Sequence, residues 1–232
     1  MKYFLIHANL PADIRRSLSA FGQPVALPIF DQLPYPVCAH PDMLVAKIGD
    51  TLLVHEEYRE GRALLERLGI PFSLSRAPVG MQYPEDIRLN CLATENAFFC
   101  NEKYISREAL ALADRMGLKK IHVSQGYAKC SCAHAKNAIA TADRGIAAAA
   151  LRAGVKVLLM EPSKIGIEVY DTGFIGGASV LLDENTLGFF GDIESFPVYR
   201  ALADFFGEQD VRLVSLGSRS LFDYGGAIDV SL

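Results

Sequence analysis

Apolar stripes at helical spacing recur five times along this chain, and each closes on a glycine: Gly22, Gly69, Gly117, Gly154 and Gly207. Leu110, Ala113 and Met116 form one stripe, and Val198, Leu202 and Phe205 form another. Glycine is expected after a last helical turn because that position usually needs a positive φ, which a Cβ opposes. Pro11 and Pro197 fall near helix starts, where a missing N–H costs nothing.

Upstream of four of these helices lie two short apolar runs joined by a tight polar turn. They are Met43–Ile48 and Thr51–Val54 around Gly49-Asp50, and Cys91–Thr94 and Ala97–Cys100 around Glu95-Asn96. The others are Ser131–Ala135 and Ala138–Thr141 around Lys136-Asn137, and Ala178–Leu182 and Thr186–Phe190 around Asp183-Glu184-Asn185. Such turns are rich in Gly, Asn and Asp because a hairpin needs positive φ there. After each glycine comes a third apolar run: Val25–Ile29, Phe72–Leu74, Lys120–Val123, Val155–Met160 and Val211–Leu216.

The unit is therefore strand–strand–helix–strand. Successive glycines lie 37 to 53 residues apart, and wrapping through the termini gives a fifth interval of 47. The missing fifth hairpin pairs Ala227–Leu232 with Lys2–Ile6, the two ends of the chain. The expectation is one α+β domain over residues 1–232, a β/α propeller of five pseudo-symmetric ββαβ units. An open doubly wound sheet is disfavoured, since it would not set a hairpin before nearly every helix.

Composition narrows the function classes. The chain has 232 residues, half of them hydrophobic and 22% charged, which excludes disorder. Its 23 Lys and Arg against 27 Asp and Glu give a net charge of −4 without basic runs. Nucleic acid is thus excluded as a partner, because phosphates need clustered cations. No apolar stretch reaches membrane-spanning length and no leader pattern opens the chain, so a cytoplasmic protein is expected. Five cysteines, an odd number, read as free thiols in a reducing compartment. No nucleotide or cofactor fingerprint is present, and nothing in the sequence sets an oligomeric state.

Several short motifs carry a family resemblance. Ala39-His40-Pro41-Asp42-Met43-Leu44-Val45 presents His-x-Asp ahead of a hairpin, and Ile175-Gly176-Gly177-Ala178 and Tyr224-Gly225-Gly226-Ala227 present double glycines ahead of two more. Together with the five-unit pattern, these resemble the pentein superfamily, the fold of the guanidino-group-modifying enzymes. Tyr83-Pro84-Glu85-Asp86-Ile87, Gly126-Tyr127-Ala128-Lys129-Cys130-Ser131 and Gly173-Phe174-Ile175-Gly176-Gly177-Ala178 are most similar to an uncharacterised bacterial branch.

The resemblance implies a cysteine thiolate attacking a guanidinium carbon, a histidine moving protons, and carboxylates gripping the guanidinium nitrogens. The chemistry is sound, because a planar cation with several N–H donors suits paired carboxylates and the nucleophile must be a thiolate. In this chain, however, the late position expected for the cysteine falls in Gly225-Gly226-Ala227-Ile228-Asp229, where Asp229 stands in place of a thiol. Asp229 could grip a cation but not attack one.

Cys130 and Cys91 are then the candidate nucleophiles, Cys130 with Lys129 beside it to lower its pKa. His40 is the candidate proton shuttle, supported by Asp42, and Asp86, Asp171, Lys129 and Asp229 are the candidate substrate residues. Asp223 and the neighbouring acids Glu85 and Glu168 add to the acidic lining. Each has a plain alternative: core packing for Cys91 and Cys130, a turn cap with an exposed histidine for Asp42 and His40, and ordinary loop acids for the rest. Cys130, Cys132 and His134 do not read as a metal site. Alternate strand residues stand about 7 Å apart, too far for tetrahedral zinc, so no metal is expected.

Two functions are open at this level. One is a hydrolase or transferase acting on a small guanidino or amidino compound through a cysteine. The other is a non-catalytic pentein module that binds a small cationic ligand or a protein partner.

Overall fold

A computed structural model describes residues 1–232. The chain opens with β1 (Lys2–Ile6), α1 (Ala12–Leu18) and β2 (Gln23–Ala26). The first complete unit is a helical turn α2 (Pro41–Leu44), then β3 (Val45–Ile48), β4 (Thr51–His55), α3 (Arg59–Arg67) and β5 (Phe72–Ser75). The second runs β6 (Leu92–Ala93), β7 (Ala97–Cys100), α4 (Arg107–Arg115) and β8 (Lys119–His122). The third runs β9 (Cys132–Ala135), β10 (Ala138–Thr141), α5 (Arg144–Ala153) and β11 (Lys156–Leu159). The fourth runs β12 (Ser179–Asp183), β13 (Thr186–Phe189), α6 (Tyr199–Gly207) and β14 (Arg212–Ser215), and β15 (Ile228–Ser231) ends the chain.

These strands form five three-stranded sheets, each pairing a hairpin antiparallel and its third strand parallel. In the fifth sheet β15 lies antiparallel to β1, with Lys2 opposite Ser231 and Leu5 opposite Ile228, and β2 runs parallel to β1. The termini therefore meet in one unit, as the repeat requires. The first strands of the units are neighbours around an axis, β9 beside β12, β12 beside β15, β15 beside β3 and β3 beside β6. At the seam between the second and third units, Thr94 Oγ1 donates to Asn137 Oδ1 at 3.0 Å.

No unit owns its core. Five buried apolar clusters fill the molecule, and each straddles at least two units. One joins Ala46, Ile48 and Leu53 of the first to Phe98, Leu112 and Ala113 of the second. Another joins Phe4, Leu10 and Leu18 of the fifth to Leu182, Phe190 and Leu216 of the fourth. A single unit could not bury its apolar face alone, so closing the ring is what completes the core.

The local signals work in part. Ser106 and Asp143 cap α4 and α5, accepting from the N–H of Ala109 and Ile146 at 3.1 and 2.8 Å. Gly69, Gly117 and Gly154 take the left-handed conformation expected after α3, α4 and α5. Gly22 and Gly207 do not, which corrects the sequence reading. α1 ends four residues before Gly22, where the aromatic ring of Phe4 leaves no room for a Cβ. Gly207 is the last residue of α6, and Asp210 supplies the positive φ instead. The first strands also start later than their apolar runs. Pro41–Leu44 coils into α2, and Cys91 and Ser131 belong to the loops before β6 and β9.

Candidate functional site

The loops leading into the five first strands converge at one end of the axis. The residue two places before each of these strands is Met43, Asn90, Cys130, Gly177 and Gly226 in turn. These five equivalent positions are tied into a ring. Asn90 Nδ2 reaches Met43 Sδ at 3.1 Å on one side and Cys130 Sγ at 3.0 Å on the other. The N–H of Gly177 donates to the Cys130 carbonyl at 3.1 Å, and that of Gly226 to the Gly177 carbonyl at 2.7 Å. The Asp42 N–H closes the circuit on the Gly225 carbonyl at 3.2 Å.

Asn90 is the junction of three units. Its Nδ2 also donates to the Asp42 carbonyl at 3.2 Å, while Oδ1 accepts the N–H of Lys129 at 2.9 Å and of Cys130 at 3.4 Å. The sequence reading did not single out Asn90. Its register two places before β6, matching that of Cys130 before β9, is the signal that would have found it.

Cys130 and Asp42 meet at the centre. The Cys130 thiol donates to Asp42 Oδ2 at 2.9 Å, while Asp42 Oδ1 is buried with no partner. Burial drives the Asp42 carboxyl up to about 7, against the nearby Lys129 ammonium, which favours the charged form. Burial, followed by the charges of Asp42 and Asp223, holds the Cys130 thiol well above its ordinary range. The expectation that Lys129 lowers this pKa is corrected: desolvation and the two carboxylates set its direction, and Lys129 is not among its causes.

His40 is buried rather than exposed, which removes the reading of Asp42 and His40 as a surface turn. Its ring packs edge-on to His7, with centroids 5.5 Å apart, and Nδ1 lies 3.8 Å from Asp223 Oδ1. Burial depresses the His40 pKa to about 4, so this contact joins a neutral imidazole to a carboxylate and is not an ion pair. Asp223 is fixed by the backbone N–H groups of Phe174 at 2.8 Å and Gly225 at 2.9 Å. Glycine is needed alongside, since a Cβ on Gly225 would lie 2.3 Å from His40 Cβ and one on Gly177 would lie 1.9 Å from Asp223 Oδ1. Asp86 repeats the Asp42 pattern: Oδ2 accepts from Tyr127 Oη at 2.6 Å, and Oδ1 is buried and unpaired.

Beyond this cluster the axis opens into a cavity of about 410 Å³. It is lined by Asp42, Cys91 and Lys129 of the lead-in loops and α2, by Lys47, His134 and Asp229 on β3, β9 and β15, and by Asp50, Glu95, Lys136 and Glu184 of the hairpin turns. Asp229 forms an ion pair with Lys47 at 2.8 Å. Cys91 is buried in an apolar cluster with Cys100, and burial raises its pKa well above the ordinary value. Cys130, His40 and Asp86 do not line the cavity, and Asp171 stands exposed on a loop outside the network. No helix is long and apolar enough to cross a membrane.

The five-sheet ring is the pentein fold, and solved structures along the full chain share it. A cysteine-to-serine mutant of DDAH from Pseudomonas aeruginosa, complexed with citrulline, superposes with a TM-score of 0.52 at 9% identity, covering 99% of this chain and 98% of that one. SxtG, an amidinotransferase from Microseira wollei in the saxitoxin biosynthetic pathway, gives 0.53 at 10% identity, covering 99% and 94%. The agmatine deiminase of C. jejuni gives 0.53 at 10% identity, covering 93% and 87%. Within that fold the chain belongs to the family of unknown function DUF6873, which matches residues 5–228. No curated protein matches the sequence.

Proposed function

We propose that this pentein takes a small guanidino or amidino compound at Asp42 and hydrolyses it, or transfers its amidino group, with Cys130 as nucleophile. The observation that carries the reading is the Asp42 carboxylate. One oxygen holds the Cys130 thiol, and the other is buried, unpartnered and part of a residue lining the axial cavity. A buried acceptor without a donor costs about 1–3 kcal/mol, which an N–H-rich ligand would recover.

The same arrangement supplies an activation step. A guanidinium docked on both Asp42 oxygens takes the acceptor away from the thiol and sets a cation beside sulfur, lowering a pKa that burial now holds high. Asn90 Nδ2 already donates to that sulfur. The Cys130 proton passes to neutral His40, and the thiolate forms a C–S bond at the amidino carbon. The C–N bond to the departing amine breaks as His40 returns that proton to it. Water or an acceptor amine then breaks the C–S bond and releases the product with the thiol restored. Asp86 and Asp223 complete the acidic surroundings, and five free, buried cysteines support a cytoplasmic location.

A second reading has its own support. All five thiols are buried with pKa values raised by burial, and Asp229 replaces the thiol that the resemblance leads one to expect. On that reading the chain binds the same ligand without turning it over.

Calorimetric titration with guanidino compounds, paired with assays for released ammonia and ureido product, decides between them. Binding with turnover that Cys130→Ser abolishes supports the enzyme. Binding without turnover supports the module. No binding by any guanidino compound rejects both.

A further inference from the structure

Cys91 and Cys100 face each other across a hairpin, and no step of the proposed reaction uses either. In the sheet of the second unit Leu92 pairs with Phe99 and Ala93 with Phe98. One step further along the same register sets Cys91 opposite Cys100. The Thr94 N–H donates to the Ala97 carbonyl at 2.8 Å, so that pair closes the turn as a hydrogen-bonded one. Pairs alternate from there, and Cys91 and Cys100 fall in a non-hydrogen-bonded position, where Cα atoms stand about 4.5 Å apart. A disulfide needs about 4.4–6.8 Å between its Cα atoms, so the backbone already meets that requirement.

The side chains agree with the register. Both cysteines sit in the apolar cluster of Ala46, Phe98 and Leu112, whereas Leu92 and Phe99 belong to a different cluster on the other face. After burial, Cys100 is what raises the Cys91 pKa further, which places the two sulfurs within each other's field. Cys91 also lines the axial cavity, while Cys100 is fully buried. A small oxidant therefore reaches Cys91 first. Burial keeps both thiols protonated, the Cys100 pKa being pushed up to about 12, so the pair reacts slowly and persists as a dithiol until oxidant accumulates.

The two backbones are held differently. Cys100 lies in the central strand β7 beside His122, and its carbonyl accepts the Val123 N–H at 3.0 Å. Cys91 turns its N–H back to the Leu89 carbonyl at 2.8 Å, outside the ladder. It directly follows Asn90, whose side chain braces Asp42, Lys129 and Cys130.

We propose that Cys91 and Cys100 form a redox modification site, a dithiol that a hydroperoxide closes into a disulfide and that then clamps the Asn90 loop to β7. The inference stands apart from the guanidino reading. The Cys91 sulfur first forms an S–O bond as the peroxide O–O bond breaks, and its proton leaves on the alcohol or water released. The Cys100 sulfur then attacks that sulfenic sulfur. The S–S bond forms, the S–O bond breaks, and the second thiol proton leaves with water. The two thiols lose two electrons in all, and the peroxide gains them.

Trypsin cuts after Arg88 and Lys103 and nowhere between, so one peptide, residues 89–103, carries both thiols. The folded full chain is treated with hydrogen peroxide, then unfolded, alkylated and digested without reductant. The peptide is expected to take up two alkyl groups before peroxide and none after it, at a mass two hydrogens below the dithiol. Amide hydrogen exchange at Lys129 and Cys130, whose N–H groups Asn90 Oδ1 accepts, is expected to slow several-fold in the oxidised protein. Cys100→Ser should abolish the bridge and the slowing together, and Cys100→Ala serves if the core rejects serine. Two alkyl groups retained after peroxide, or a bridge to any of the other three cysteines, would overturn the site. A Cys91–Cys100 bridge that leaves exchange at Lys129 and Cys130 unchanged would overturn the clamp.

Discussion

The thiol of Cys130 and the carboxylate of Asp42, 88 positions apart in sequence, share a hydrogen bond of 2.9 Å at the axis of the ring. That contact joins the first and third units, and Asn90 of the second braces both partners. Chemistry-bearing residues from three repeats thus meet because their lead-in loops occupy equivalent positions around one axis.

The Asp42 carboxyl is raised from 3.8 to about 7, chiefly by burial, so the folded state holds this proton more tightly than the unfolded chain does. Its contribution to stability is complete below the unfolded pKa and is lost as pH rises through about 7. Asp42→Asn removes the effect. Thermal melts at about pH 5 and about pH 8 should show the variant gaining on the parent toward the higher pH. An offset equal at both values would show that Asp42 titrates normally.

Asn90 satisfies two backbone N–H groups and shares its two Nδ2 protons among the Asp42 carbonyl, Met43 Sδ and Cys130 Sγ, from a side chain that is 1% exposed. Asn90→Leu leaves the N–H groups of Lys129 and Cys130 without their acceptor. Urea denaturation should register a loss of about 2–4 kcal/mol. A loss below about 0.5 kcal/mol would mean that the surroundings relax around the change.

Gly69 and Gly225 share the left-handed conformation, with φ of +70° and +72°, but not their surroundings. A Cβ on Gly69 meets nothing within 4 Å, whereas one on Gly225 lands on His40. Gly69→Ala should cost about 1–2 kcal/mol for the backbone alone. Gly225→Ala should cost clearly more and displace the His40 ring, visible in its NMR titration. Equal costs for the two substitutions would remove the close-packing argument.

Asp229 and Lys47 are each about 30% exposed, so their ion pair is screened. Asp229→Asn should change stability by under about 1 kcal/mol in chemical denaturation. A loss of several kcal/mol would assign Asp229 a larger structural role than this pair provides.

Much of the architecture was legible because repetition is a property of spacing. Two short strands, a capped helix and a glycine recur, and the odd strands at the ends can only pair with each other. The site was less legible. His40, Asp42 and Cys130 were visible as residue types, but their burial was not, and burial is what reverses the expected ionisation of Cys130. Asp171 drew notice as a loop acid, yet nothing in sequence separates an exposed loop acid from a buried one such as Asp223. Asn90 carries no reactive group and stands out only once its equivalence to Cys130 is recognised. Gly22 and Gly207 show the limit of reading punctuation, since one glycine serves close packing and the other is a helical residue.

The unpartnered oxygen of Asp42 is best probed by a crystal structure of the protein soaked with guanidinoacetate. The account predicts the ligand in the axial cavity with a guanidinium nitrogen about 3 Å from Asp42 Oδ1. A ligand seated in the cavity with its guanidinium directed away from Asp42, or a cavity left empty at saturating concentration, would contradict it.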